Sequence, residues 1–270
     1  MTEPFGRRLA DAVAGRGPLC VGIDPHGPLL ERWGLPDDPE GLARFTDAVV
    51  DALADTVAVL KPQLAFYERH GSRGLAVLED GVARARAAGA LVLLDAKRGD
   101  IGSTMDGYAG YLRPDHPMAA DALTVSPYLG PGSLQPAVDT ARQHGAGLFV
   151  LARTSNPDAG TLQHAVVDGR SVAQVVVDTV RGWNAADASG SFGVVVGATL
   201  RELDVDLAGL GGPVLAPGLG AQGGSVADLR RLFGRGTAVV PTVSRDVLAA
   251  GPDPAGLRAA AERWAAALAG

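Results

Sequence analysis

The sequence predicts an α/β protein: a (β/α)8 barrel with a closed parallel sheet. Three observations carry this reading. Eight short apolar runs alternate along the chain with stretches of helical periodicity. Each run is apolar almost throughout, as expected for strands covered on both faces of a parallel sheet. The 270 residues also suit eight such units, since one barrel typically takes about 250. A doubly wound open sheet is the structural alternative.

In chain order, a helix over Phe5 to Ala14 precedes the first strand, Pro18 to Ile23. Helical periodicity over Pro39 to Ala54 leads to the second strand, Val57 to Pro62. Ser72 to Ala88 leads to the third, Ala90 to Leu94, and the fourth is Ala122 to Val125. Ser133 to His144 precedes the fifth, Gly147 to Leu151; Ser171 to Ala186 precedes the sixth, Gly193 to Val196. The seventh strand is Pro213 to Ala216. The helix over Ser225 to Phe233 places Val226, Leu229, Leu232 and Phe233 on one stripe. The eighth strand is Thr237 to Pro241, and Pro254 to Ala269 closes the chain as a helix. No linker-like composition divides residues 1–270, so they read as one barrel domain.

Composition bounds the function. At 47% hydrophobic and 20% charged, the chain is not a disordered one. No apolar run approaches the ~18 residues of a membrane span, and the N-terminus lacks the apolar core of a signal peptide. A net charge of -6 argues against generic nucleic-acid or anionic-membrane binding. The single cysteine, Cys20, excludes an intrachain disulfide, and the expected location is cytoplasmic. Of 24 basic residues only Lys61 and Lys97 are lysine. Lysine can donate a proton where guanidinium in practice cannot, which singles these two out.

Active-site groups of such barrels come from the C-terminal strand ends. There the sequence carries Asp24-Pro25-His26, Lys61-Pro62-Gln63, Asp95-Ala96-Lys97-Arg98-Gly99-Asp100, Ser126-Pro127-Tyr128, Pro217 to Gly224, and Ser244-Arg245. Asp95 and Lys97 are two apart, so on an extended strand they face the same side. The direction of Asp100 is open. Lys61 is either a rim residue or a second cation at the mouth. The glycine-rich run after the seventh strand, with Arg245 after the eighth, fits the recurrent barrel phosphate site, its N–H groups unobstructed by side chains. Asp24 could bind hydroxyls or a metal, or cap a turn; Ser126 could bind a polar ligand edge or cap a turn. The five histidines form no H-x-x-x-H pair. Tyr128 and Phe66 read as packing residues.

These segments together resemble the orotidine 5'-phosphate decarboxylase family. The resemblance rests on Val21-Gly22-Ile23-Asp24-Pro25-His26, Lys61-Pro62-Gln63, Asp95 to Thr104, Thr124 to Gly130, and Pro217 to Gly224. It spans about residues 18 to 246, and Arg153-Thr154-Ser155-Asn156-Pro157 is similar to the longer-chain bacterial branch that includes mycobacterial members. The loop at 156–160 is slightly longer than that pattern. The resemblance implies a TIM barrel that converts orotidine 5'-monophosphate to uridine 5'-monophosphate with no metal and no organic cofactor. It implies a homodimer with shared sites. Lys61, Asp95 and Lys97 would then act in one subunit, while Asp100, Ile101 and Thr104 would reach the neighbour's site.

Under this resemblance Lys97 would stabilise a C6 carbanion and protonate it, with Asp95 near the substrate carboxylate and Asp100 holding the lysines. Lys61, Asp24 and Thr104 would bind ribose, and Ser126 the pyrimidine edge. Pro217 would lie in the phosphate loop, Gln222 would bridge base and phosphate, and Arg245 would clamp the phosphate. Two rivals share the barrel. One is a Mg²⁺-dependent sugar-phosphate lyase, disfavoured by Lys61 where a metal site prefers an acid. The other is a catalytically silent nucleotide-binding protein.

Overall fold

The structure is a computed structural model describing residues 2–234 and 236–270. Its barrel strands are β1 (Cys20–Ile23), β2 (Val59–Pro62), β3 (Leu91–Arg98), β4 (Ala122–Val125), β5 (Gly147–Arg153), β8 (Phe192–Val196), β9 (Val214–Pro217) and β10 (Val239–Val243). A small antiparallel hairpin, β6 (Val166–Val167) and β7 (Arg170–Ser171), projects between β5 and β8. Each barrel strand pairs in parallel with its neighbours in the chain, and β1 closes the sheet on β10.

The helices expected from periodicity are α1 (Phe5–Arg16), α3 (Pro39–Leu53), α5 (Gly71–Ala87), α7 (Gln135–His144), α9 (Val172–Asp187), α10 (Val226–Phe233) and α12 (Pro254–Ala269). Their starts follow local chemistry. Asp38 and Asp253 each accept two backbone N–H bonds ahead of a proline, and Ser225 with Asp228 forms a capping box. Five shorter helices, α2 (Gly27–Arg32), α4 (Ala65–Glu68), α6 (Gly102–Ala109), α8 (Ala159–Gln163) and α11 (Arg245–Leu248), follow strand ends and were not expected. In α10, Leu229, Leu232 and Phe233 are buried as the stripe requires, whereas Val226 is only half-buried at the first turn.

Two apolar clusters hold the fold. The larger lies between sheet and helices. The smaller fills the barrel with Cys20, Val59, Leu91, Leu93, Ala122, Phe149, Val195, Leu215 and Val240. α1 plugs the bottom: Phe5 meets the Phe149 ring edge to face, centroids 6.0 Å apart. A Cβ on Gly147 would run into the Phe5 ring, so this strand start must be glycine for the plug to seat. Arg8 ties the same helix to buried Asp121 at 2.5 Å. The lower lumen of the barrel is therefore lined by apolar side chains, and the polar groups are left to the upper half.

Candidate active site

Alternation of side chains along a strand builds the site. Residues 20, 59, 91, 93, 122, 149, 215 and 240 point into the barrel. Continuing each strand by steps of two places Asp24, Lys61, Gln63, Asp95, Thr124, Leu151, Pro217, Thr242 and Ser244 above them. All nine line one cavity of about 220 Å³ at the C-terminal end of the sheet. Lys97, Gln222 and Arg245 complete its charged and polar wall. Thr242 was not anticipated, and Gln63, Thr124 and Ser244 stood in the strand-end or family-like segments with no role assigned. The same step-of-two count from the apolar floor would have found them.

Asp95 is the centre. Its Oδ2 accepts from Lys61 Nζ at 2.8 Å and Gln63 Nε2 at 3.0 Å. Its Oδ1 accepts from Lys97 Nζ at 2.6 Å and Thr124 Oγ1 at 2.8 Å. Four donors fill the four lone-pair positions of one carboxylate. Burial alone would push the Asp95 carboxyl up, but the Lys61 and Lys97 charges outweigh it and hold the group below the usual carboxylate range. Burial likewise pulls the Lys61 ammonium down, yet Asp95, with Asp24 behind it, leaves it above its ordinary value. Asp95 and Lys61 are thus charged at neutral pH, and Lys97 Nζ lies on the other oxygen of the same carboxylate. The thiol of Cys20 beneath them is pushed up to about 12 by burial, so it stays a neutral floor.

The two lysines differ in exposure. The Lys61 side chain is 7% exposed and that of Lys97 45%. Lys97 does share the Asp95 side, as expected, but plain strand alternation is not the reason. Its φ is +47°, a left-handed value rare for a side-chain-bearing residue. The β3–β4 register shifts there, Leu94 pairing with Leu123 and Arg98 with Val125. Lys97 sits on this bulge, a device that re-aims a side chain beside a site.

At the mouth, Asp24 Oδ2 accepts from Ser244 Oγ at 2.5 Å. Asp24 Oδ1 is buried and has no hydrogen-bond partner among the described residues. The glycine-rich loop after β9 has positive φ at Gly218, Gly220 and Gly223, and a Cβ on Gly220 would strike the Asp246 carboxylate. Some of its N–H groups are already engaged by backbone carbonyls. Those of Gly220, Gly223 and Gly224 bond within the loop. Arg245 is exposed beside it.

Four expected residues lie outside this cavity. Asp100 accepts from the Ile101 N–H at 2.8 Å, Ile101 precedes α6, and Thr104 is exposed on its first turn. Ser126 is half-buried, its N–H donating to the Arg98 carbonyl at 2.7 Å. Tyr128, expected to pack, is instead 75% exposed, because it lies on the β4 exit loop above the core. A larger cavity, about 1100 Å³, opens at the opposite end between α1 and the starts of β9 and β10. Among the described residues Asp206 is the only charged side chain in its lining, whereas the smaller cavity gathers Asp24, Lys61, Asp95, Lys97 and Arg245.

The described residues include no group of three His, Cys, Asp or Glu side chains placed to hold a metal ion. No helix among them is long and apolar enough to cross a membrane.

The family model for orotidine 5'-phosphate decarboxylase / HUMPS matches residues 17–261. The chain belongs to this family. A member named orotidine 5'-phosphate decarboxylase from Streptomyces coelicolor is 62% identical over 97% of this chain and 96% of its own. A crystal structure from Streptomyces avermitilis, described as an orotidine 5'-phosphate decarboxylase, is 60% identical. It aligns with a TM-score of 0.95 over 100% of this chain and 97% of that one. The Leishmania donovani OMP decarboxylase structure is 32% identical, with a TM-score of 0.75 and 98% of each chain covered. Within the orotidine 5'-phosphate decarboxylase / HUMPS family, the strand-end reading and the cavity coincide at Asp24, Lys61, Asp95, Lys97, Pro217, Gln222 and Arg245.

Proposed function

We propose that the chain decarboxylates orotidine 5'-monophosphate to uridine 5'-monophosphate and CO2, with residues 1–270 acting as one barrel domain. The observation that carries this is the Lys61–Asp95–Lys97 array, two ammonium groups on one buried carboxylate in the barrel mouth. Decarboxylation needs this arrangement. The bond from C6 to the carboxylate breaks, its electron pair stays on C6, and the pyrimidine π system offers that pair no delocalisation. A fixed cation beside C6 stabilises the charge. The same ammonium then gives its proton to C6, forming the C6–H bond of the product, and Lys97 regains a proton from solvent. Asp95 holds the cation and crowds the substrate carboxylate until CO2 leaves.

The rest of the wall fits a nucleotide. Asp24 Oδ1, buried without a partner, suits a ribose hydroxyl, and Lys61 stands beside it. Arg245 takes the phosphate, with Gln222 between phosphate and base and Pro217 at the root of the loop. Ser126 reaches the pyrimidine edge once substrate fills the mouth. A cytoplasmic setting, where thiols stay reduced, accords with the free Cys20.

The reading includes a homodimer. Asp100, Ile101 and Thr104 sit together at the start of α6, outside their own chain's cavity, with Ile101 61% exposed. A second copy across this face would cover Ile101 and bring Asp100 and Thr104 to the neighbouring site. Mixed Lys97→Ala and Asp100→Ala subunits should then recover about a quarter of wild-type activity. Half of randomly reassorted dimers are mixed, and each carries one intact site of two. No recovery after confirmed exchange rejects shared sites.

The direct test is ultraviolet-monitored turnover of orotidine 5'-monophosphate with EDTA present. Turnover unaffected by chelation is the expected result. A folded protein that leaves the substrate intact, and works instead with Mg²⁺ on sugar phosphates, overturns the proposal.

A further inference from the structure

The bulge in β3 raises a question of support. A left-handed φ at a lysine is strained and persists only where neighbours fix it. Between the pairs Leu94–Leu123 and Arg98–Val125, β3 carries Asp95, Ala96 and Lys97 while β4 carries only Thr124. The Lys97 N–H therefore meets no β4 carbonyl. It donates instead to Thr124 Oγ1 at 3.0 Å. That hydroxyl has one proton, and it goes to Asp95 Oδ1 at 2.8 Å, since an ionised carboxylate only accepts. Thr124 is 1% exposed, so its hydroxyl is committed to these two bonds within the protein. One hydroxyl thus fixes the backbone under Lys97 and the carboxylate oxygen that holds its ammonium.

We propose that Thr124 is a positioning residue for proton delivery, acting on Lys97 through the bulge and through Asp95. The inference rests on the decarboxylase reading above. Valine at 124 keeps the shape but removes the hydroxyl, leaving the Lys97 amide without its acceptor and Oδ1 with one donor fewer. Displacements of about 1 Å in a reacting group cost on the order of 10²-fold. The expected loss falls on kcat, because the ground-state contacts of ribose and phosphate lie elsewhere.

The experiment compares wild type, Thr124→Val, Thr124→Ala and Thr124→Ser, each normalised to the sites that bind uridine 5'-monophosphate by titration. The valine variant should lose about 10²-fold in kcat per competent site, with KM and product affinity near wild type. Serine should recover most of that loss. A purely structural Thr124 would lower the fraction of competent sites and leave kcat per site unchanged, which overturns the proposal. Serine as impaired as valine also overturns it, since the methyl rather than the hydroxyl would then matter. Alanine is read the same way should valine fail to fold. Wild type that binds the product yet leaves the substrate intact would fail the decarboxylase reading instead, so the two failures are separable.

Discussion

Lys97→Ala lowers kcat for orotidine 5'-monophosphate by at least about 10³-fold while the protein keeps its fold and its affinity for product. Two effects leave with one atom. A positioned general acid contributes about 10²–10⁴-fold, and a preorganised charge at a developing anion about 10²–10³-fold. They are not simply additive, because the same ammonium supplies both. The fold survives because the Lys97 side chain is 45% exposed and, among the described residues, pairs only with Asp95 Oδ1. Asp95 still has Lys61, Gln63 and Thr124. The check is turnover against binding of uridine 5'-monophosphate on one preparation. Turnover near wild type would move proton delivery off Lys97 and remove the mechanism.

Asp95→Ala should abolish turnover and also destabilise the fold, by about 3–5 kcal/mol, the usual cost of breaking a buried ion pair from one side. Lys61, 7% exposed, is left as a buried cation without its main partner. For a chain of this size the shift corresponds to a Tm lower by roughly 10 °C. The pH dependence has a definite sign. The native Asp95 carboxyl lies below its unfolded value, so its stabilisation is complete above about pH 4 and fades as pH falls through the lower native value. The Tm gap between wild type and variant is therefore full at pH 7 and narrows under acid conditions. Lys61 runs oppositely: its raised value keeps its stabilisation complete below about pH 10 and loses it at higher pH. Equal melting of variant and wild type at pH 7 would show that the array contributes nothing to stability.

All eight barrel strands were legible as apolar runs, because both faces of a barrel strand are covered. Their ends were less so. β3 continues from Leu94 to Arg98, where the lumen changes from packed floor to polar site, and apolarity stops marking the strand there. β10 lies two residues later than its run, since Pro241 falls inside it and reads as a stop. The short helices at the strand exits, such as α4 and α11, have only four residues each, too few for periodicity. At the site, the charged groups were legible because a lysine or aspartate ending an apolar run is conspicuous. Thr124 and Thr242 were not, being small residues that blend into β-branched strands. The bulge at Lys97 left no local signature, as it depends on what β4 places opposite.

The arginine-for-lysine bias has a chemical consequence. Lys61 and Lys97 are the only lysines in the chain, and Lys61 is sealed in the barrel. Of the two lysines, an amine-directed reagent therefore reaches only Lys97, 45% exposed at the barrel mouth. A ligand seated over Asp95 would shield it. Acylation of Lys97, read on the peptide that carries it, thus reports occupancy of the mouth without any introduced label.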